Sequence, residues 1–66
     1  MEKIQISLAA ARVNANLSQK NAAKMLGITR QTLMNWENGK VKPKIMQINA
    51  LAELYGIPVE YIFLPL

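Results

Sequence analysis

The sequence predicts an all-α domain, compact and built from five short helices at about 6–15, 18–26, 29–38, 45–55 and 58–64. Three observations lead there. The chain is 52% hydrophobic with only three Gly and three Pro, too apolar for a disordered segment. Its apolar residues recur at spacings of three and four, as one buried helical face requires. Residues that stop or cap helices fall between these runs. No linker or internal repeat divides the 66 residues, so a single domain, 1–66, is expected.

Met1 to Gln5 forms a lead-in, with Ile4 and Ile6 available to pack against the body. From Ile6 to Ala15 the run is rich in alanine and free of breakers, and Leu8, Ala11 and Ala15 share a side. Asn16 offers a left-handed stop. Ser18 then caps the second helix, with Asn21 standing where a Glu or Gln would complete a capping box. Gly27 ends that helix and Thr29 restarts the chain as a third, giving helix, three-residue turn, helix. Ala23, Met25, Leu26, Ile28, Leu33 and Trp36 are the expected inward residues of this unit. The basic loop Gly39 to Lys44 contains Pro43, which forbids continuing the third helix. In the fourth helix Ile45, Ile48, Leu51, Ala52 and Tyr55 point inward, and Gly56 stops it. Lys44 is a poor cap, so this helix start is expected to depend on packing or to fray. Pro58 opens the fifth helix and Pro65 closes it.

Composition excludes several chemistries. A domain of this size buries only about 60% of its unfolded surface, which leaves little room for a deep active-site cavity. Without Cys or His there is no disulfide, no ordinary zinc site, no thiol nucleophile and no imidazole base. The chain is therefore not expected to be an enzyme, and no cofactor or metal is implied. The polar N-terminus does not resemble a signal peptide, and no apolar run approaches the ~18 residues of a membrane span. A cytoplasmic protein without membrane contact is the expectation.

Charge is uneven. Lys20, Lys24, Arg30, Lys40, Lys42 and Lys44 lie in one segment with the single acid Glu37, while the rest of the chain is nearly balanced. A polyanion-binding surface requires such clustering, although lysines also simply keep small domains soluble. On a helical wheel Leu33 and Trp36 take the inner side of the third helix, and Arg30, Gln31, Met34, Asn35 and Asn38 share the other. Arg suits guanine, Gln and Asn suit adenine, and an apolar group can touch a thymine methyl.

Leu17-Ser-Gln19, Ala23, Leu26-Gly-Ile-Thr29, Leu33, Trp36-Glu-Asn-Gly-Lys40 and Pro43, followed by Leu54-Tyr-Gly-Ile57 and Tyr61-Ile-Phe-Leu64, resemble the phage repressor and Cro class of helix-turn-helix proteins. The resemblance covers about Ile6 to Leu64. It implies a five-helix lambda-repressor-like domain whose third helix enters the major groove, usually as a dimer on a palindromic operator. Carried over by position, Thr29, Arg30, Gln31, Met34 and Asn35 would face bases. Gln19, Thr32, Asn38, Lys40, Lys42 and Lys44 would hold phosphates, Gln19 with help from its backbone N–H at a helix start. It further implies an Arg12–Glu37 ion pair between the first and third helices, worth roughly 0–1 kcal/mol if exposed. Trp36 is then core rather than a stacking platform.

The expected function is sequence-specific binding of double-stranded DNA by a transcriptional regulator, a repressor of the Cro type. The apolar end, Tyr61, Ile62, Phe63, Leu64 and Leu66, caps the core or joins two copies into a homodimer. Two alternatives stay open: an antitoxin-type regulator that also binds a toxin protein, and a helical protein-interaction module without DNA binding. Asn16, Lys44 and Pro58 depart from the family's usual helix-end residues.

Overall fold

In the computed structural model, which describes residues 5–64, four α-helices enclose one core and a short strand pair ties the two ends of the chain together. The order is β1 (Ile6–Ser7), α1 (Leu8–Asn14), α2 (Gln19–Leu26), α3 (Arg30–Glu37), α4 (Ile45–Tyr55), a 3-10 turn (Val59–Tyr61) and β2 (Ile62–Phe63). Among the described residues the protein is thus mostly helical, with four α-helices and not five. Ile4, Pro65 and Leu66 lie outside the described residues.

The missing fifth helix and the shortened first one have a common cause. β1 and β2 run parallel with Ile6 opposite Ile62 and Ser7 opposite Phe63. This pairing holds Ile62 extended at φ −86° and ψ 124°. It limits the expected 58–64 helix to one 3-10 turn and moves the start of α1 from residue 6 to residue 8. A seven-residue helix barely exceeds its own nucleation cost, whereas a strand pair satisfies backbone groups of two distant segments at once. A signal for β1 is present in the alternation Ile4, Ile6, Leu8.

Helix starts and stops are local and regular. Ser7, Ser18 and Thr29, spaced eleven residues apart, each accept a backbone hydrogen bond from the residue three ahead. The fourth residue of each of these helices, Ala11, Ala22 and Leu33, is almost completely buried. All four helices end with a left-handed residue, Asn16, Gly27, Gly39 or Gly56. At each end the next amide reaches back five residues: Leu17 to Arg12, Ile28 to Ala23, Lys40 to Asn35 and Ile57 to Ala52. These bonds satisfy carbonyls that the helix leaves open. The start of α4 at Lys44, a poor cap, has a local hydrogen bond of its own. The Gln47 side chain accepts from the Lys44 N–H at 2.7 Å. This is one half of a capping box, because an ammonium has no lone pair with which to return the bond.

The core is formed by Leu8 and Ala11 of α1, Ala22 and Ala23 of α2, Leu33 and Trp36 of α3, Leu51, Ala52 and Tyr55 of α4, and Ile62. The alanines let helix backbones come close, and Leu8, Leu33 and Leu51 fill the centre. Leu17, Ile28 and Ile57, each directly after a left-handed stop, pack against it. Two expected inward residues are instead exposed, Met25 at 63% and Ile45 at 75%. Met25 falls outside the arc that Ala22, Ala23 and Leu26 define at 100° per residue. Ile45 is the first residue of α4, and helical side chains lean towards the N-terminus, so it projects past the core.

Tyr55 is buried, and its hydroxyl has no hydrogen-bond partner among the described residues. Burial pushes the phenol up to about 12, with the Glu37 carboxylate adding to the shift and Arg12 opposing it. The unfolded chain would release this proton near the ordinary value of 10. The contribution to stability is therefore full below about pH 10 and is lost as the pH rises towards 12. Because the hydroxyl makes no bond, Tyr55→Phe should leave the thermal midpoint unchanged or raise it slightly at neutral pH. Circular dichroism melts of both proteins from pH 7 to 11.5 check this: the variant should lose less stability above pH 10 than the parent.

Candidate nucleic-acid interface

The unit α2, turn, α3 is fixed from three sides. Ala22, Ala23, Leu33 and Trp36 anchor it to the core. Gly27, at φ 72°, reverses the chain, and Ile28 and Thr29 lead into α3. A polar contact then ties the end of α3 to α1. Arg12 Nε donates to Glu37 Oε2 at 2.8 Å, and Arg12 Nη2 to Glu37 Oε1 at 3.4 Å. Arg12 Nη1 also donates to the Leu17 carbonyl at 2.8 Å. The side chains are only 13% and 5% exposed. This is not the exposed pair whose value would be 0–1 kcal/mol.

With Glu37 turned inward, the outer side of α3 and the loop behind it carry no acidic group. Among the described residues Arg12–Glu37 is the only ion pair, so the lysines of this segment have no carboxylate partner there. Thr29, Arg30, Gln31 and Asn38 are exposed; Thr32, Met34 and Asn35 are half-buried. Lys40, Lys42 and Lys44 are exposed on the loop, which the buried Pro43 holds against the body. Lys20 and Lys24 on α2 add two more exposed cations to this part of the molecule.

The polar side chains are partly ordered by one another. Thr29 Oγ1 accepts from the Thr32 amide at 3.1 Å and lies 2.8 Å from Thr32 Oγ1, fixing the start of α3. Gln31 Nε2 donates to Asn35 Oδ1 at 3.0 Å across one helical turn. Gln19 Nε2 donates to Glu37 Oε1 at 3.0 Å, and Arg30 Nε donates to Gln19 Oε1 at 3.4 Å. The structure brings Gln19 and Arg30 together, which residue spacing along the chain does not reveal. The same spacing gives no sign that the Gln19 side chain is engaged inside the protein. The loop lysines make no side-chain hydrogen bond to α3.

Arranged this way, the surface offers amide, guanidinium, hydroxyl and ammonium donors, a few amide acceptors and one apolar group, and no nucleophile paired with a base. Among the described residues no cluster of His, Cys, Asp or Glu is suited to a metal. No helix there is long and apolar enough to cross a membrane.

A helix-turn-helix family profile matches residues 8–62, and the chain belongs to that family. It is 39% identical over 49 residues, 74% of either chain, to an uncharacterised HTH-type transcriptional regulator of Methanocaldococcus jannaschii. It is 33% identical over 48 residues to the cryptic phage CTXphi transcriptional repressor RstR of Vibrio cholerae, a match spanning 73% of this chain and 43% of RstR. An uncharacterised HTH-type transcriptional regulator of Archaeoglobus fulgidus is 30% identical over 53 residues, 80% of this chain and 75% of its own length. No solved structure matches the chain significantly.

Removing one partner of the Arg12–Glu37 pair leaves the other buried and unpaired, which typically costs about 3–5 kcal/mol. A domain this small has little more stability than that in total. Arg12→Ala should therefore populate unfolded chain at 25 °C, which urea titration followed by Trp36 fluorescence would measure.

Proposed function

We propose that this chain is a sequence-specific, double-stranded DNA-binding transcriptional regulator of the phage repressor and Cro type. It acts in the cytoplasm of a bacterial or phage-infected cell and represses by occupying its site. The observation that carries this reading is the acid-free outer face of α3, continuous in sequence with a lysine loop, while Glu37 is turned towards Arg12. The repressor RstR among its relatives supports repression as the mode of action.

In this reading α3 lies in the major groove. Thr29, Arg30, Gln31, Met34 and Asn35 meet base edges. The backbone N–H of Gln19, together with Thr32, Asn38, Lys40, Lys42 and Lys44, holds the flanking phosphates. The Gln19 amide suits this because no earlier carbonyl of α2 can reach it and the helix dipole favours an anion there. Phosphate contacts supply salt-dependent affinity and base contacts supply selectivity. One good bidentate contact discriminates by roughly 1–3 kcal/mol, so one copy with two or three such contacts binds weakly. Two copies on a palindrome, their α3 helices about 34 Å apart, give a useful regulator. Tyr61 and Phe63, 44% and 49% exposed, are the residues proposed to join the copies, with Leu64 next to them in sequence and Ile62 anchoring the segment in the core; Leu66, also expected to take part, lies outside the described residues.

Three measurements test this. Gln31→Ala should relax preference at one base pair, whereas Lys42→Ala should weaken binding to all sequences alike and reduce the log–log salt slope by about 0.9. Unchanged binding in both variants would overturn the proposal. Selection of bound sites from random DNA should return a palindrome, and analytical ultracentrifugation of the complex should show two chains per site. Asymmetric single half-sites would count against the dimer.

A further inference from the structure

The chain has six asparagines, and Asn38 is the one followed by glycine. A glycine has no Cβ to shield its amide nitrogen or to hinder rotation of the peptide plane before it. The Gly39 nitrogen can therefore attack the side-chain carbonyl carbon of Asn38. An N–Cγ bond forms, the Cγ–Nδ2 bond breaks, and the displaced nitrogen leaves as ammonia with the Gly39 amide proton. Water then opens the resulting cyclic imide at either carbonyl, which leaves aspartate or isoaspartate. Water is the only co-reactant. Asn38 is exposed where α3 passes into the lysine loop. Asn35, the other asparagine of this segment, is half-buried, holds the Gln31 amide at 3.0 Å and precedes the bulky Trp36.

We propose that Asn38–Gly39 is a spontaneous deamidation site, and that the carboxylate formed there weakens the grip on DNA of any chain that is not already bound. The inference rests on the reading that α3 enters the major groove with Asn38 against the flanking backbone. The geometry supplies the gate. Asn38 has ψ −3°, which turns the Gly39 nitrogen away from its Cβ, so ring closure requires that peptide plane to rotate. What resists rotation is the close of α3: Gly39 donates to the Trp36 carbonyl at 3.3 Å, and Lys40 and Val41 donate to the Asn35 carbonyl at 2.9 and 3.3 Å. Two of these bonds are long, and helix ends open far more readily than the core. A phosphate held by Asn38 and Lys40 keeps the same turn shut. The product is costly in its place. With Glu37 turned towards Arg12, the outer side of α3 and the loop carry no other acid, and a negative charge at a helix C-terminus opposes the dipole. Isoaspartate also lengthens the main chain by one methylene just before the left-handed Gly39, which displaces the lysines behind it.

The full chain, kept at mildly alkaline pH without DNA, should accumulate aspartate and isoaspartate at Asn38 ahead of the other five asparagines. Tandem mass spectrometry of the tryptic fragment 31–40 locates the change. With a saturating amount of the selected DNA site the reaction should run several times slower. Aged protein, separated from fresh by ion exchange, should bind all sequences about tenfold or more weakly, as loss of a phosphate contact requires. Asn38→Asp should do the same. Reaction at Asn38 no faster than at the other asparagines, an equal rate on DNA, or aged protein that binds like fresh would each overturn the proposal. The aged and fresh fractions come from one wild-type preparation, so the comparison does not depend on how a variant folds. If Lys42→Ala weakens binding while Asn38→Asp and the aged protein do not, the ageing role alone fails. If none of the three alters binding, the placement of α3 in the groove fails with it.

Discussion

The Arg12–Glu37 contact constrains more of this structure than any other single interaction. Glu37 ends α3, where a negative charge opposes the helix dipole, and it is only 5% exposed. Such a carboxylate is tolerable only when cations or donors meet it. Arg12 supplies two nitrogens to it and uses its remaining one on the Leu17 carbonyl in the turn between α1 and α2, while Gln19 gives the carboxylate a third donor. One guanidinium thus fixes the relation of three helices. It also settles the electrostatics of the outer surface, since the one acid of the basic segment is neutralised from within.

Much of the fold is legible in the sequence because it is decided within short windows. Ser18, Thr29, Gly27 and Gly56 mark helix boundaries through their own side chains or lack of one, and the structure puts the boundaries there. Asn16 takes the left-handed conformation in place of glycine, as its short amide permits. The errors lie where distant segments meet. β1 and β2 come from opposite ends of the chain, and nothing in residues 58–64 alone says that Ile62 and Phe63 will find Ile6 and Ser7. Met25 and Ile45 are apolar at helical spacing, yet the core they would enter does not extend to them.

The candidate interface divides in the same way. That Arg30, Gln31 and Asn38 face outward follows from period 3.6 and the demands of Leu33 and Trp36. That Gln31 bonds to Asn35 is a neighbour relation one turn apart. The junction of Gln19 with Glu37 and Arg30 is of another kind. It requires the ends of two helices and the buried pair to converge, and only coordinates in space reveal it.

The even placement of Ser7, Ser18 and Thr29 has an evolutionary corollary. Each cap opens a unit in which one fixed position faces the core, so the first half of the chain works like a frame with a constant step. Substitutions on the outer sides leave that frame intact. An inserted or deleted residue inside a helix does not: it turns every later side chain of that helix by about 100°. The lineage is therefore free to exchange the outward side chains of α3, while change in the length of α1 and α2 is closed to it.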